Sequence, residues 1–274
     1  MKVISILSGK GGVGKTSVAL AITRALARKF EGRVGLLDAD VTGSNTHLQL
    51  KIVKDIDFRG NRIIPSIAEI NGARFQYISI ALISESYVKW KGETLADFIE
   101  EVFKNTEWNC DFLVIDSPPG LHDENIEILK RTDVVIFVTI PAKFAELDLK
   151  RTVDLVRDME KPVAGVYLNF AYLRCPICGN FMQPFNHPPA LNIPVIQEIP
   201  FGEISIDVER LLERVNNPVK LPKPKLSVIK RKALYLVLRG LGKLEKLGIG
   251  GGADAEGADA GDAAGDASSS GNPD

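Results

Sequence analysis

Cysteine is scarce in this chain, with three among 274 residues, and so are histidine (three), methionine (three) and tryptophan (two). Three cysteines cannot build a disulfide framework, which excludes the small stapled secreted scaffolds and points to a reducing compartment. A formal net charge of −1 leaves no overall basicity to mark a nucleic-acid binder, although a near-zero total can conceal local segregation. Long hydrophobic runs are missing too. The opening Met1-Lys2-Val3-Ile4-Ser5-Ile6-Leu7 is far shorter than a signal-peptide core and leads straight into Gly9-Lys10-Gly11-Gly12. Neither a targeting nor a membrane-spanning segment is therefore expected, and the expected location is cytoplasmic. What is present, 45% hydrophobic and 25% charged residues, suits a globular protein of one or two domains.

Short apolar runs recur at 3–7, 34–37, 75–80, 112–115, 134–138 and 163–168, and such runs suit strands buried on both faces. Between them, 17–29, 94–104 and 147–159 carry apolar residues at three- and four-residue spacing and read as amphipathic helices. Strand and helix in alternation predict an α/β fold with a doubly wound, mainly parallel sheet. Residues 51–70 break the rhythm with Arg59-Gly60-Asn61 as a turn between β-like runs, a hairpin decoration. The stretch 169–194 is rich in Pro, Asn and Cys and reads as a surface excursion. We therefore expect one domain over 1–217, including a cysteine loop at 170–193, followed by a linker and basic amphipathic helix over 218–248. Residues 220–247 hold nine Lys or Arg against the single acid Glu245. The remainder, 249–274, is Gly/Ala/Asp/Ser-rich with six acids and no base, the composition of a disordered acidic tail.

Gly9-Lys10-Gly11-Gly12-Val13-Gly14-Lys15-Thr16 fits G-x-x-x-x-G-K-[ST], between a predicted strand and a predicted helix that opens at Ser17. The glycines let successive N–H groups turn toward phosphate oxygens, the helix N-terminus adds its positive dipole end, Lys15 reaches terminal phosphates and Thr16 can ligate Mg²⁺. Two carboxylate sites end later strands: Asp38 and Asp40 in Leu37-Asp38-Ala39-Asp40, and Asp116 in Ile115-Asp116-Ser117-Pro118-Pro119-Gly120. Ligands of open parallel sheets sit beyond the carboxyl ends of the strands, so these acids can hold Mg²⁺ through water or orient an attacking water. Capping of a following helix is the competing reading for Asp38 and Asp40.

These residues resemble the deviant P-loop ATPases that include MinD, ParA and the nitrogenase iron protein. The mark is Lys10, an extra lysine early in the loop, which in that group reaches across a homodimer to the partner's nucleotide. A closer resemblance, from residue 1 to about 215, is to the Mrp/ApbC iron–sulfur carrier branch. It rests on Asp38-Ala39-Asp40-Val41-Thr42-Gly43-Ser44, Trp90-Lys91-Gly92, Asp116-Ser117-Pro118-Pro119-Gly120, Asn169, Cys175-Pro176-Ile177-Cys178-Gly179 and Glu198-Ile199-Pro200-Phe201. The chain departs from that branch at Thr42, Asn45 and Lys91. The resemblance implies ATP as the nucleotide, Asn169 and Pro200 on its adenine side, and a [4Fe–4S] cluster carried to apo-protein clients.

By their own chemistry, Cys175 and Cys178 present two thiolates to one soft metal, zinc or iron–sulfur. Both usually need four ligands, so the pair is two short, and two copies across a two-fold axis would supply the rest. His187 is a weaker candidate ligand, and Cys110 reads as a small buried side chain. The alternative to a cluster carrier is a positioning ATPase of the MinD or ParA kind, with the basic helix on a membrane or nucleic-acid surface.

Overall fold

The computed structural model describes residues 1–40, 46–81, 83, 95–185, 192–202 and 204–222. All of them belong to one compact unit, Met1–Pro224. The sequence features at 41–45 and 90–92, His187, nearly all of the basic helix and the whole acidic tail lie outside the described residues.

Chain order gives β1 (Lys2–Leu7), α1 (Lys15–Lys29), β2 (Val34–Asp38), a 3₁₀ turn (Thr46–Gln49), β3 (Lys51–Lys54), β4 (Asp57–Arg59), β5 (Arg62–Ile64), β6 (Ser66–Ile70) and β7 (Ala73–Ser79). It continues with α2 (Leu95–Asn105), β8 (Phe112–Asp116), α3 (Asp123–Arg131), β9 (Val134–Thr139), α4 (Lys143–Asp158), β10 (Val163–Arg174), β11 (Phe181–Met182), β12 (Val195–Pro200) and α5 (Val208–Asn216). The main sheet runs β11-β10-β9-β1-β8-β2-β7-β6-β3, and β12 also pairs with β10. Pairing is parallel from β7 through β2, β8, β1 and β9 to β10, as buried apolar runs require.

The stretch expected to be one hairpin divides. Only β4 and β5 form a separate two-stranded ribbon around Gly60, whereas β3 and β6 join the main sheet antiparallel. The turn between β6 and β7 is Asn71-Gly72, both at positive φ (49° and 79°). That is the backbone a tight hairpin turn with matching twist demands, and Asn and Gly tolerate it best.

Alternation along the strands sorts side chains to two faces. Ile4, Ile6, Leu36, Val114, Val134 and Ile136 pack with Val18, Ile22 and Leu26 of α1 and with Leu211 and Val215 of α5. On the opposite face Leu37, Leu113 and Ile115 meet Phe98, Ile99 and Val102 of α2, while Val135 and Phe137 meet Leu149, Val153 and Val156 of α4. The result is a helix–sheet–helix sandwich with the carboxyl ends of β1, β2 and β8 side by side, the position a ligand cleft takes in such sheets.

Helix α3 meets α2 through Ile128, packed with Phe98, Ile99 and Val102, and carries a charge cluster beside that contact. Glu127 is 8% exposed, bonds Lys130 at 2.5 Å and also pairs with Arg131, whose guanidinium reaches Glu100 at 3.5 Å. Burial pushes the Glu127 carboxyl up, but its hydrogen bonds from Lys130 and Arg131 outweigh this and hold it below the ordinary glutamate range. A lowered native pKa contributes stability that is present above the unfolded value and lost as pH falls through the native one. Glu127→Gln is therefore expected to lower stability by about 1 kcal/mol at neutral pH, with the gap to wild type closing below the ordinary glutamate range. Urea melts at a series of pH values check this.

Candidate functional site

The phosphate loop leaves β1 at Leu7 and enters α1 at Lys15. Ser8 donates its hydroxyl to the Lys10 carbonyl at 3.0 Å and so sets the first bend. Gly14 occupies the N-cap with φ 81°, a left-handed conformation, and α1 has neither a capping side chain nor an acid in its first turn. Its positive end is therefore left for an outside anion. A Cβ on Gly14 would stand 2.1 Å from Asn169 Nδ2, which donates to the Val13 carbonyl at 2.9 Å. A Cβ on Gly9 would stand 2.3 Å from the backbone of Asp148 and Leu149, so α4 packs directly on the loop. Gly11, Gly12 and Ser17 are exposed, Thr16 is half-buried and Val13 is buried in the core.

Lys15 is not left reaching into solvent. Its ammonium, 6% exposed, bonds Asp116 Oδ1 at 2.5 Å, and Asp116 is 1% exposed. The second oxygen, Asp116 Oδ2, is buried without a hydrogen-bond partner among the described residues. Asp38 is fully buried and stands directly opposite Asp116 in the β2–β8 register. Its Oδ1 accepts the Asp40 N–H at 3.2 Å, which ties Asp40, half-buried, to the same corner. Thus the structure brings Lys15, Asp38, Asp40, Asp116 and Thr16 to one end of the sheet. Sequence reasoning gave Lys15 to phosphate and Asp116 to metal, and in the described residues the two hold each other.

Lys10 lies over the Phe144 ring of α4 within its own chain, 3.9 Å from the centroid, a cation–π contact. Asn169 reaches the phosphate loop rather than open solvent, and it is fully buried. The next residue, Phe170, is held at φ 55°, and its ring meets that of Phe201 at 5.0 Å between centroids. Pro200 ends β12 opposite Tyr172, and the Phe201 N–H donates to the Tyr172 carbonyl at 2.8 Å.

The cysteine pair sits at the far end of the same strand as Asn169. Strand β10 ends at Arg174, and a tight turn follows in which Gly179 donates to the Cys175 carbonyl at 2.9 Å and Cys175 to the Asn180 carbonyl at 2.8 Å. Cys178 is exposed, Cys175 is partly exposed, and Ile177 between them is 95% exposed. Backbone N–H groups of Cys178 and then Ile177 point at the Cys175 sulfur, and with the Cys178 thiol they lower its pKa. A lower pKa favours thiolate, the form that ligates metal. Cys110 is the opposite case, with burial pushing its thiol up to about 11. Among the described residues no three His, Cys, Asp or Glu side chains gather as a metal site, so the described part of one chain offers two thiols there.

Ser8, Phe144 and Asn125, which bonds the loop after Asp116, did not emerge from the sequence reading. No motif marks them, since each acts through a contact made only in the fold.

A phosphate loop with a buried Lys–Asp pair at the carboxyl end of a parallel sheet defines a P-loop NTPase. The chain belongs to the NUBPL iron-transfer P-loop NTPases of the ParA family, whose model matches residues 1–222. It is 32% identical over 220 residues to the iron–sulfur cluster carrier protein of Pyrococcus abyssi, covering 75% of this chain and 74% of that one. To the iron–sulfur cluster carrier protein of Rickettsia typhi it is 35% identical over 207 residues, with 72% and 63% of the two chains covered. Among solved structures, the nucleotide-binding protein of Archaeoglobus fulgidus in complex with ADP superposes with a TM-score of 0.61 at 24% identity, over 79% of this chain and 86% of that one. That last likeness is one of fold. No helix among the described residues is long and apolar enough to cross a membrane.

Gly14→Ala is expected to weaken nucleotide binding at least about tenfold. The new methyl group displaces Asn169, and a left-handed non-glycine residue costs about 1–2 kcal/mol. Calorimetric titration with ADP checks it, with circular dichroism confirming an intact fold.

Proposed function

We propose that this chain is an ATP-dependent iron–sulfur cluster carrier. In this reading it binds MgATP at Gly9–Ser17, holds a [4Fe–4S] cluster between the Cys175/Cys178 pairs of two copies, and passes it to apo-proteins in a reducing, cytoplasmic setting. The observation that carries the reading is the single strand β10. Asn169 bonds the phosphate loop, and Cys175 follows six positions later, one residue past the strand's end. Movement of the loop thereby has a covalent route to the thiols. The family and the carrier relatives support the cargo.

For the nucleotide, the loop amides and the α1 N-terminus would hold phosphates, Asn169 and Pro200 would border the adenine side, and Lys10 and Lys15 would offset charge that develops on the γ-phosphate. The residues fit Mg²⁺, because Asp116 Oδ2 is a buried carboxylate oxygen with no hydrogen-bond partner among the described residues. Thr16 would hold the ion directly and Asp116 through water, and the ion would supply charge neutralisation at the phosphates. Asp38 and Asp40 would orient an attacking water from the adjoining strand end. Hydrolysis is slow in this reading, because its task is to change the dimer's shape rather than to turn over substrate.

For the cargo, two thiols per chain and a four-ligand requirement call for a symmetric pair of chains. Anaerobic reconstitution with iron and sulfide is expected to give about four irons and about four sulfides per dimer. Cys175→Ala/Cys178→Ala should hold none, and the wild-type cluster should pass to an apo-acceptor. Stoichiometric zinc that iron does not displace, or a cluster that persists in the double variant, would sink the carrier reading.

A further inference from the structure

The loop after Asp116 is poor in main-chain donors. Pro118 and Pro119 have no N–H, so between Ser117 and Leu121 only Gly120 can donate, and its N–H meets the Ser8 carbonyl at 3.4 Å, near the limit of a useful bond. Ser117 is held little better, donating to the Ile6 carbonyl at 3.3 Å. Left to its backbone, this loop would be loosely fixed, although it begins at the carboxylate that grips Lys15.

A side chain supplies what the backbone lacks. Asn125, the third residue of α3, is 1% exposed and donates both amide hydrogens into the loop, to the Pro118 carbonyl at 3.0 Å and to the Gly120 carbonyl at 2.9 Å. Because both partners are acceptors, the amide can face the loop only with its nitrogen. Its oxygen is then turned away, buried and without a hydrogen-bond partner among the described residues. An unpaired buried acceptor costs stability, so packing of α3 alone does not favour asparagine at this position. The arrangement makes sense as a clamp on the loop. Gly120, at φ 85°, supplies the bend that brings its carbonyl within reach.

We propose that Asn125 is a positioning residue for nucleotide hydrolysis. By holding the carbonyls of Pro118 and Gly120 it fixes residues 117–122, and with them the direction in which the Asp116 carboxylate leaves β8. Among the described residues its side chain bonds neither the phosphate loop nor any residue assigned to nucleotide binding, so it acts on the setting of the carboxylate rather than on affinity. The proposal rests on the NTPase reading of the site.

The test compares full-length wild type, Asn125→Ala and Asn125→Asp. Aspartate is nearly isosteric with asparagine but sets oxygens against two carbonyls. Three quantities are measured: kcat and KM for MgATP, ADP affinity by calorimetry, and amide exchange of the peptide covering 117–122. The expected result is a fall in kcat of about tenfold for alanine and more for aspartate, with ADP affinity and KM within about twofold of wild type. Exchange of 117–122 should quicken while β1 and β8 stay protected. Unchanged kcat and exchange in Asn125→Ala would overturn the proposal. So would a loss of kcat that is matched by lost ADP affinity and by faster exchange across the whole sheet, because that pattern marks a role in folding alone. A wild type that hydrolyses no nucleotide would instead refute the NTPase reading, whereas the clamp itself is read from exchange without turnover.

Discussion

The buried pair between Lys15 and Asp116 is the interaction on which the rest of the site depends. Two opposite charges taken out of water are tolerated only while each has the other, and removal of one partner from such a pair costs about 3–5 kcal/mol. Both side chains are almost fully covered and meet at 2.5 Å, so neither can leave without a replacement. A phosphate can replace the carboxylate for the lysine, and a cation can replace the lysine for the carboxylate. Taking only one of the two would strand a charge in a dry pocket. A ligand that brings anion and cation together is therefore the one this geometry admits at least cost.

The surrounding architecture serves to present that pair. Parallel strands bring three carboxyl ends together, α1 lends an uncapped N-terminus, and the backbone of α4 presses on Gly9 so closely that no side chain fits between them. Asn169 stitches the loop to β10 from below. The same strand then runs out past the sheet edge to the cysteines, with β11 and β12 pairing along it. The contact to the phosphate loop and the surface pair of thiols thus share a single length of backbone.

Much of this could be read from residues in order. The phosphate loop is contiguous, and its motif carries its own mechanical reasons. The central strands are buried on both faces, so they announce themselves as unbroken apolar runs. The misreadings fall where tertiary contact overrides local pattern. Strand β10 was expected to end at Leu168, yet it continues to Arg174, because pairing with β11 and β12 stabilises a segment whose own composition suggests a loop. Helix α4 begins at Lys143 rather than Leu147, since Phe144 and Leu147 are exposed and blur the apolar stripe. The Asn71-Gly72 turn was legible in principle, and it would have tied β6 to β7 and divided the supposed hairpin correctly. Asn125 and Phe144 had no such signal: their roles exist only once loop and helix have met.

The contrast among the three thiols has a practical side. Cys110 is covered by the core and burial holds its proton tightly, whereas Cys175 and Cys178 stand at the surface, in a turn whose N–H groups favour the Cys175 thiolate. At neutral pH a thiol-alkylating reagent therefore reads the surface pair against a silent background within the same chain. The mass added to the intact protein counts free knuckle sulfurs directly, and a knuckle closed by any ligand, metal or disulfide registers as protection. The chain thus carries its own reporter of occupancy, independent of colour, of spectroscopy and of the identity of whatever is bound.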